Sequence, residues 1–216
     1  MTITLSTRSQ FAIATTYGPS VNMTAISNAA EAVATLAAGH AVVVGDILEV
    51  TSGWGLLSER LVRVKTVATN DITFEKIDTQ DVTKFPAGSG IGSIRRITAW
   101  TPFTQVQGVA TQKGALEFAD TTTMDDNVRK QKPTVRGASS LTLTIFDDPN
   151  LAWYAPAVAA ADSSLATGLR VVYPNNSKQF SNGYFSVQET PDMQPNAPLT
   201  VDVDFNNAAR STRYAS

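Results

Sequence analysis

The chain has 216 residues, 43% of them hydrophobic and 17% charged, with a net charge of −2 and no cysteine. Such a chain has length for one large or two small β domains and apolar content for a real core. The missing cysteines exclude a disulfide framework, thiol catalysis and a thiolate metal site, and the charge offers no basic face for nucleic acid.

"SQFAIATTYG" alternates Phe11, Ile13 and Thr15 with Ala12 and Ala14, which predicts a first strand stopped at Gly18-Pro19. No basic leader precedes it and no apolar run is membrane-long, so a soluble, cytoplasm-made protein with no membrane partner is expected. The alanines of "NMTAISNAAEAVATLAAGH" suit a helix, whereas its Asn, Ser and Gly punctuation and Val33 and Thr35 suit short strands. From Gly45 the signal is β: "GDILEVTSGWG", "RLVRVKTV", "NDITFEKI", then the glycine-rich "FPAGSGIGS" leading into "IRRITAW". Short strands at this spacing suggest a small barrel.

This block, with Ile-x-Asn-Ala, Gly-His, Gly-Asp, Asn-Asp-x-Thr-Phe and Ile-Asp-Thr in order, resembles a β module inserted in many phage structural proteins. That module is named after the first catalytic cysteine half-domain of ubiquitin-activating enzymes. The resemblance resolves residues 32–36 as strand and implies no chemistry, because the chain has no cysteine.

Beyond Trp100, "FTQVQGVATQKGALEFADTTT" reads as two strands or one long broken strand, and a charged loop follows. "SSLTLTIF" places Leu141, Leu143 and Ile145 on one face of a half-buried strand. "DDPNLAWYAPAVAAADSS" is the one helix expected, with Asp148 as its N-cap and Pro149 at its first position. "LRVVYPNNSKQFSNGYFSVQE" reads as a hairpin turning at Pro174-Asn175-Asn176-Ser177, and "LTVDVDF" as a last strand alternating Leu199, Val201, Val203 and Phe205 with Thr200, Asp202 and Asp204. The polar tail "NNAARSTRYAS" is expected on the surface or on a neighbour.

The order of "LTLTIF", "DDPN" with Trp153-Tyr154, "LRVVYPNNS", "SNGYFSVQE" and "LTVDVDF" resembles the major tail proteins of long-tailed, non-contractile phages. The resemblance implies an all-β fold with one flanking α-helix: a tail-tube-type β-sandwich that completes a β-barrel on oligomerisation. Residues 1–21 and 98–216 would form it, and residues 22–97 would be an inserted barrel-like module outside the tube. The implied function is structural. Six copies would form rings that stack into a tube, with the tape-measure protein and tail-end proteins as partners and double-stranded DNA in transit. The location would be the virion tail, assembled in the host cytoplasm. A capsid decoration protein or a carbohydrate-binding tail accessory is the alternative, and a hydrolase is a third reading.

"DTTTMDDNVRKQKPTVRG" concentrates Asp120, Asp125, Asp126, Arg129, Lys130, Lys132 and Arg136 in a chain otherwise sparing with charge. Read alone, it is a solvated loop. Under the resemblance it is the loop that reaches from one ring to the next and packs between subunits. Asp202 and Asp204 share one face of the last strand, expected to be solvent or an acidic lumen wall. Trp54, in the turn "SGWG", is the aromatic expected at the surface for a partner.

No catalytic, cofactor or metal site is expected. His40 is the only histidine, and a metal site needs several ligands. The pairs Asp125-Asp126 and Asp147-Asp148 are sequence neighbours, which cannot clamp a glycosidic bond from opposite sides. "GSGIGS" lacks the Lys-Ser or Lys-Thr of a phosphate loop and leads into a strand.

Overall fold

The computed structural model describes residues 8–215. Its first strand, β1 (Gln10–Ile26), runs straight through Gly18-Pro19, where the sequence predicts a stop. Its partner is β6 (Gly92–Phe103), paired from Phe11↔Phe103 to Met23↔Gly92. The register slips between Tyr17 and Ser20, so Pro19 falls in a bulge where no ladder bond is asked of it.

Between these two strands lie β2 (Val33–Leu36), β3 (Ile47–Ser52), β4 (Leu61–Ala68) and β5 (Asp71–Phe74). The strand reading of residues 32–36 therefore holds and the helical one does not. The pairings β1 to β2, β5, β4, β3, β6 and back to β1 close a six-stranded ring. Alternate residues fill it: Ala34, Leu36, Leu48, Val50, Val62, Val64, Ile72, Phe74 and Ile94 are all buried. A barrel this narrow is packed with side chains, leaving no channel.

Trp54 closes one end of this barrel and is only 2% exposed, which corrects its expected surface position. Its ring meets Phe85 edge-on at 5.2 Å, and its Nε1–H donates to the Pro86 carbonyl at 2.8 Å. Gly90 makes the fit possible: a Cβ there would lie 2.6 Å from the Trp54 ring and from Ile26.

The second half comprises β7 (Val106–Gln112), β8 (Leu116–Asp120), β9 (Gln131–Arg136), β10 (Ser140–Phe146), α1 (Tyr154–Ser163), β11 (Thr167–Val172), β12 (Lys178–Val187), β13 (Thr200–Asn207) and β14 (Thr212–Tyr214). From β1 the same sheet continues as β11, β12, β13, β10, β7. The fold is thus all-β with one helix, its main strands joined in one antiparallel path. That path cannot be flat. Six strand spacings separate β6 from β7, about 29 Å at 4.8 Å each, yet only Thr104 and Gln105 connect them. The sheet folds over into two layers around Ile13, Phe103, Leu143, Ile145, Leu169, Val203 and Phe205.

Helix α1 starts later than the sequence predicts. Asp148 accepts the Asn150 N–H at 3.0 Å and shapes a turn before the helix, which begins at Tyr154 behind Trp153 with no side-chain cap. Pro156 then falls in the first turn, where its missing N–H costs nothing. Trp153 and Ala157 are fully buried against the core, with the Trp153 ring 5.5 Å from Phe103.

The chain end is also corrected: it is folded in, and Tyr214 is fully buried. Strand β14 pairs with β12, and the Tyr214 hydroxyl accepts the Arg63 N–H of β4 at 2.8 Å. A third cluster, Ala14, Ile47, Leu61, Ile97, Phe180 and Tyr214, joins barrel and sandwich. Beside it, Arg95 donates to Glu49 at 2.6 and 3.0 Å, and Asn182 donates to the other Glu49 oxygen at 3.1 Å. The Tyr17 hydroxyl accepts the Gly168 N–H at 2.9 Å. The two halves are thus welded through shared strands, a shared apolar cluster and a buried polar network.

Candidate functional site

The charged stretch is not an open loop. Strands β8 and β9 form a two-stranded hairpin that pairs with neither layer of the main sheet. It continues the β7–β10 pair beyond Gln112↔Ser140, so it leaves the body as an arm. Residues 113–120 alone extend about 26 Å at 3.3 Å per residue. Gly114 and Gly137 meet at its base, where a Cβ on Gly114 would sit 1.7 Å from the Gly137 oxygen. The ladder is local and antiparallel, which a sequence without a two-residue Asn-Gly or Asp-Gly turn does not announce.

Part of the charge goes into shaping the tip. Asp120 accepts the Thr122 N–H at 2.9 Å and its hydroxyl at 2.6 Å, and Asp126 accepts the Thr123 N–H at 3.0 Å. Lys130 pairs with Asp126, and Arg129 lies 4.0 Å from Asp120. These bonds hold both carboxyls below the usual range, the side-chain contacts being the largest cause. Asp125, Lys132 and Arg136 have no opposite charge in reach among the described residues.

Every residue of both hairpin strands is exposed, including Leu116, Phe118 and Val135, and so are Met124 and Val128 at the tip. Charge density alone does not point to these apolar residues. Their signal lies in "ALEF" and "PTV", which carry strand-forming residues with no second layer to cover them. A lone two-stranded hairpin is at best marginally stable in water, so an arm with both faces bare calls for a partner.

A second surface follows from the register. Opposite the core, the outer face of β12, β13, β10 and β7 carries Tyr184 and Ser186, then Asp202, Asp204 and Asn206, then Ser140, Thr142 and Thr144, then Gly108, Ala110 and Gln112. The Thr144 and Thr142 hydroxyls donate to Asp202 and Asp204 at 2.7 and 2.5 Å. Two carboxylates and no lysine or arginine make this face acidic and otherwise neutral. Among the described residues strand β7 bonds only to β10, so its other edge is open there.

The sequence profile of the family described as phage tail tube protein, TTP, matches residues 52–216. The chain belongs to that family. The match starts at the end of β3, so β4 to β6 of the barrel lie inside it. No curated protein matches the chain. A phage tail tube protein is a structural component of the virion tail, not an enzyme, and it works by oligomeric assembly with tail components. In this tail tube protein His40 bridges two turns, its Nε2 lying 3.0 Å from the Thr69 carbonyl oxygen. No cluster of metal-ligating side chains occurs among the described residues, and no helix among them is long and apolar enough to cross a membrane.

Proposed function

We propose that six copies form a ring, that rings stack head to tail into the tail tube, and that double-stranded DNA passes through it. The observation that carries the stacking is the β8–β9 arm, exposed on both faces and bare of any partner among the described residues. Its apolar residues and the unpaired Lys132, Arg136 and Asp125 supply area and charge for a neighbouring subunit, with Asp120, Asp126, Arg129 and Lys130 holding its tip in shape. The open β7 edge supports strand addition between copies, which would join four-stranded faces into one inner wall. The acidic, cation-free face bearing Asp202 and Asp204 suits that wall, because DNA binds through phosphates and needs basic groups to be retained.

In this reading residues 22–97 are an inserted module of the ubiquitin-activating-enzyme type, set outside the tube, because a packed barrel would block the lumen. Residues 1–21 and 98–216 form the tube core. The tube encloses the tape-measure protein, meets tail-end proteins and is assembled in the host cytoplasm.

Negative-stain electron microscopy of the purified protein over a concentration series, beside a variant lacking residues 120–137, tests this. Tubes or stacked rings from the full chain, lost in the deletion while its circular dichroism is kept, are expected. Tubes from both would remove the arm from the stacking. Discrete particles of other symmetry from the full chain would remove the hexameric ring.

A further inference from the structure

Where the chain end crosses the barrel, a concavity of about 580 Å³ opens between the β3–β4 turn, the loop after β5 and the segment before β14. Its charged lining is unbalanced: Arg60, Lys76, Lys84, Arg210 and Arg213 face only Asp78 and Asp81. Asp81 is already taken, paired with Lys84 at 2.8 Å, and Asp78 accepts the Gln80 N–H at 2.9 Å. Arg213 lies over the Tyr173 ring at 4.2 Å and donates to Ser177. That leaves Arg60, Lys76 and Arg210 without a carboxylate partner among the described residues.

Arg60 is the anomaly. Its Nη2 donates to the Thr212 hydroxyl at 3.3 Å, but its buried Nε–H meets no acceptor. Burial, and then the charge of Arg210, weaken its hold on its proton. Two guanidiniums lining one concavity with no counter-charge are costly, and a buried donor without an acceptor is costly again. The unbalanced charge is relieved if an oxyanion sits between them, because guanidinium forks pair with tetrahedral oxyanions through parallel N–H bonds. The Thr212 hydroxyl, accepting from Arg60, keeps its own proton free to donate.

We propose that this concavity is a binding site for a phosphate or phosphate monoester, held by Arg60 and Arg210 with Thr212 and Lys76 in support. A dianion matches the excess positive charge better than a carboxylate does. The volume exceeds one phosphate, and Leu56 and Phe85 add an apolar wall for the group that bears it. Bound there, the anion ties the chain end to the barrel and locks the barrel's angle on the tube core.

Titration calorimetry and thermal melts of the full chain with inorganic phosphate, with a hexose monophosphate, and with acetate and chloride at matched ionic strength form the test. Saturable phosphate binding that raises Tm by several degrees is expected. It should weaken at least tenfold in R60Q and in R210Q and stay unchanged in K113Q, outside the concavity. Arg210 is exposed, so R210Q reports on the site even if R60Q perturbs folding. A sugar phosphate binding tighter than phosphate would mark an ester as ligand, and equal binding would mark the ion itself. No saturable response, an equal response to acetate or chloride, or full response in R210Q would overturn the site.

Discussion

Replacing Tyr214 tests whether the chain end is a structural bolt. An aromatic side chain of this size buries about 150–250 Å², which at about 25 cal/mol per Å² is worth roughly 4–6 kcal/mol. Measured truncations of buried aromatics to alanine cost about 3–5 kcal/mol. The Tyr214 ring also lies 6.0 Å from Phe180 at a tilt of 55° and 4.5 Å beneath the Arg63 guanidinium. Tyr214→Ala is therefore expected to lose about 4 kcal/mol, and near this chain length each kcal/mol lowers Tm by about 2–4 °C. The fall should be about 8–16 °C. Tyr214→Phe keeps the packing but leaves the Arg63 N–H without its acceptor, a cost of about 1–3 kcal/mol. Denaturant unfolding followed by circular dichroism and by tryptophan fluorescence gives both numbers and shows whether the transition stays single. Because Tyr214 joins barrel to sandwich, the alanine variant should also begin to separate the two transitions. A loss below about 1 kcal/mol for Tyr214→Ala would refute the reasoning, since a side chain so fully buried and well bonded is not removed at so small a cost.

Gly90→Ala should cost about 1–3 kcal/mol and shift the Trp54 emission, because the new methyl would collide with the indole ring at 2.6 Å. Burial pushes both the Tyr17 and Tyr214 hydroxyls up to about 12. A folded pKa raised above the ordinary value near 10 stabilises below about pH 10, and that stability drains away as pH rises from about 10 towards 12. Absorbance at about 295 nm should show these two of the five tyrosines ionising late, and together with alkaline unfolding if unfolding comes first. Asp202→Lys with Asp204→Lys should change stability by less than about 1 kcal/mol, the face being solvated. Tubes formed from it should retain DNA at low salt and release it at high salt, read by co-sedimentation.

Strong local patterns carry much of the fold. "LTLTIF" and "LTVDVDF" alternate cleanly and are paired neighbours, with Leu143↔Val203 in register facing the core. The turn chemistry of Pro174 to Ser177 places the β11–β12 hairpin, with Val172 opposite Lys178. Charge density marks residues 120–136, but not Phe118 or Val128, because nothing local says whether an apolar side chain will find a cover. The same blindness misplaces Trp54, Tyr214 and the helix start at Asp148. Each depends on a partner far along the chain: Pro86 for Trp54, Arg63 for Tyr214, the Phe103 ring for Trp153.

By itself, then, the sequence determined the strand-rich class, the core-facing residues of the best alternating strands, the turns rich in Pro, Gly and Asn, and the tail tube resemblance. All but the resemblance, which rests on the order of the quoted motifs, follow from short-range sterics and period-two burial, which a window of a few residues contains. The tertiary structure alone decided that β1 carries on through Gly18-Pro19, that six strands close a ring, that the chain end is locked between barrel and sheet, and that Arg60 and Arg210 share one concavity. Those outcomes rest on contacts between residues dozens to about 150 positions apart, where pairing register and packing outweigh local preference.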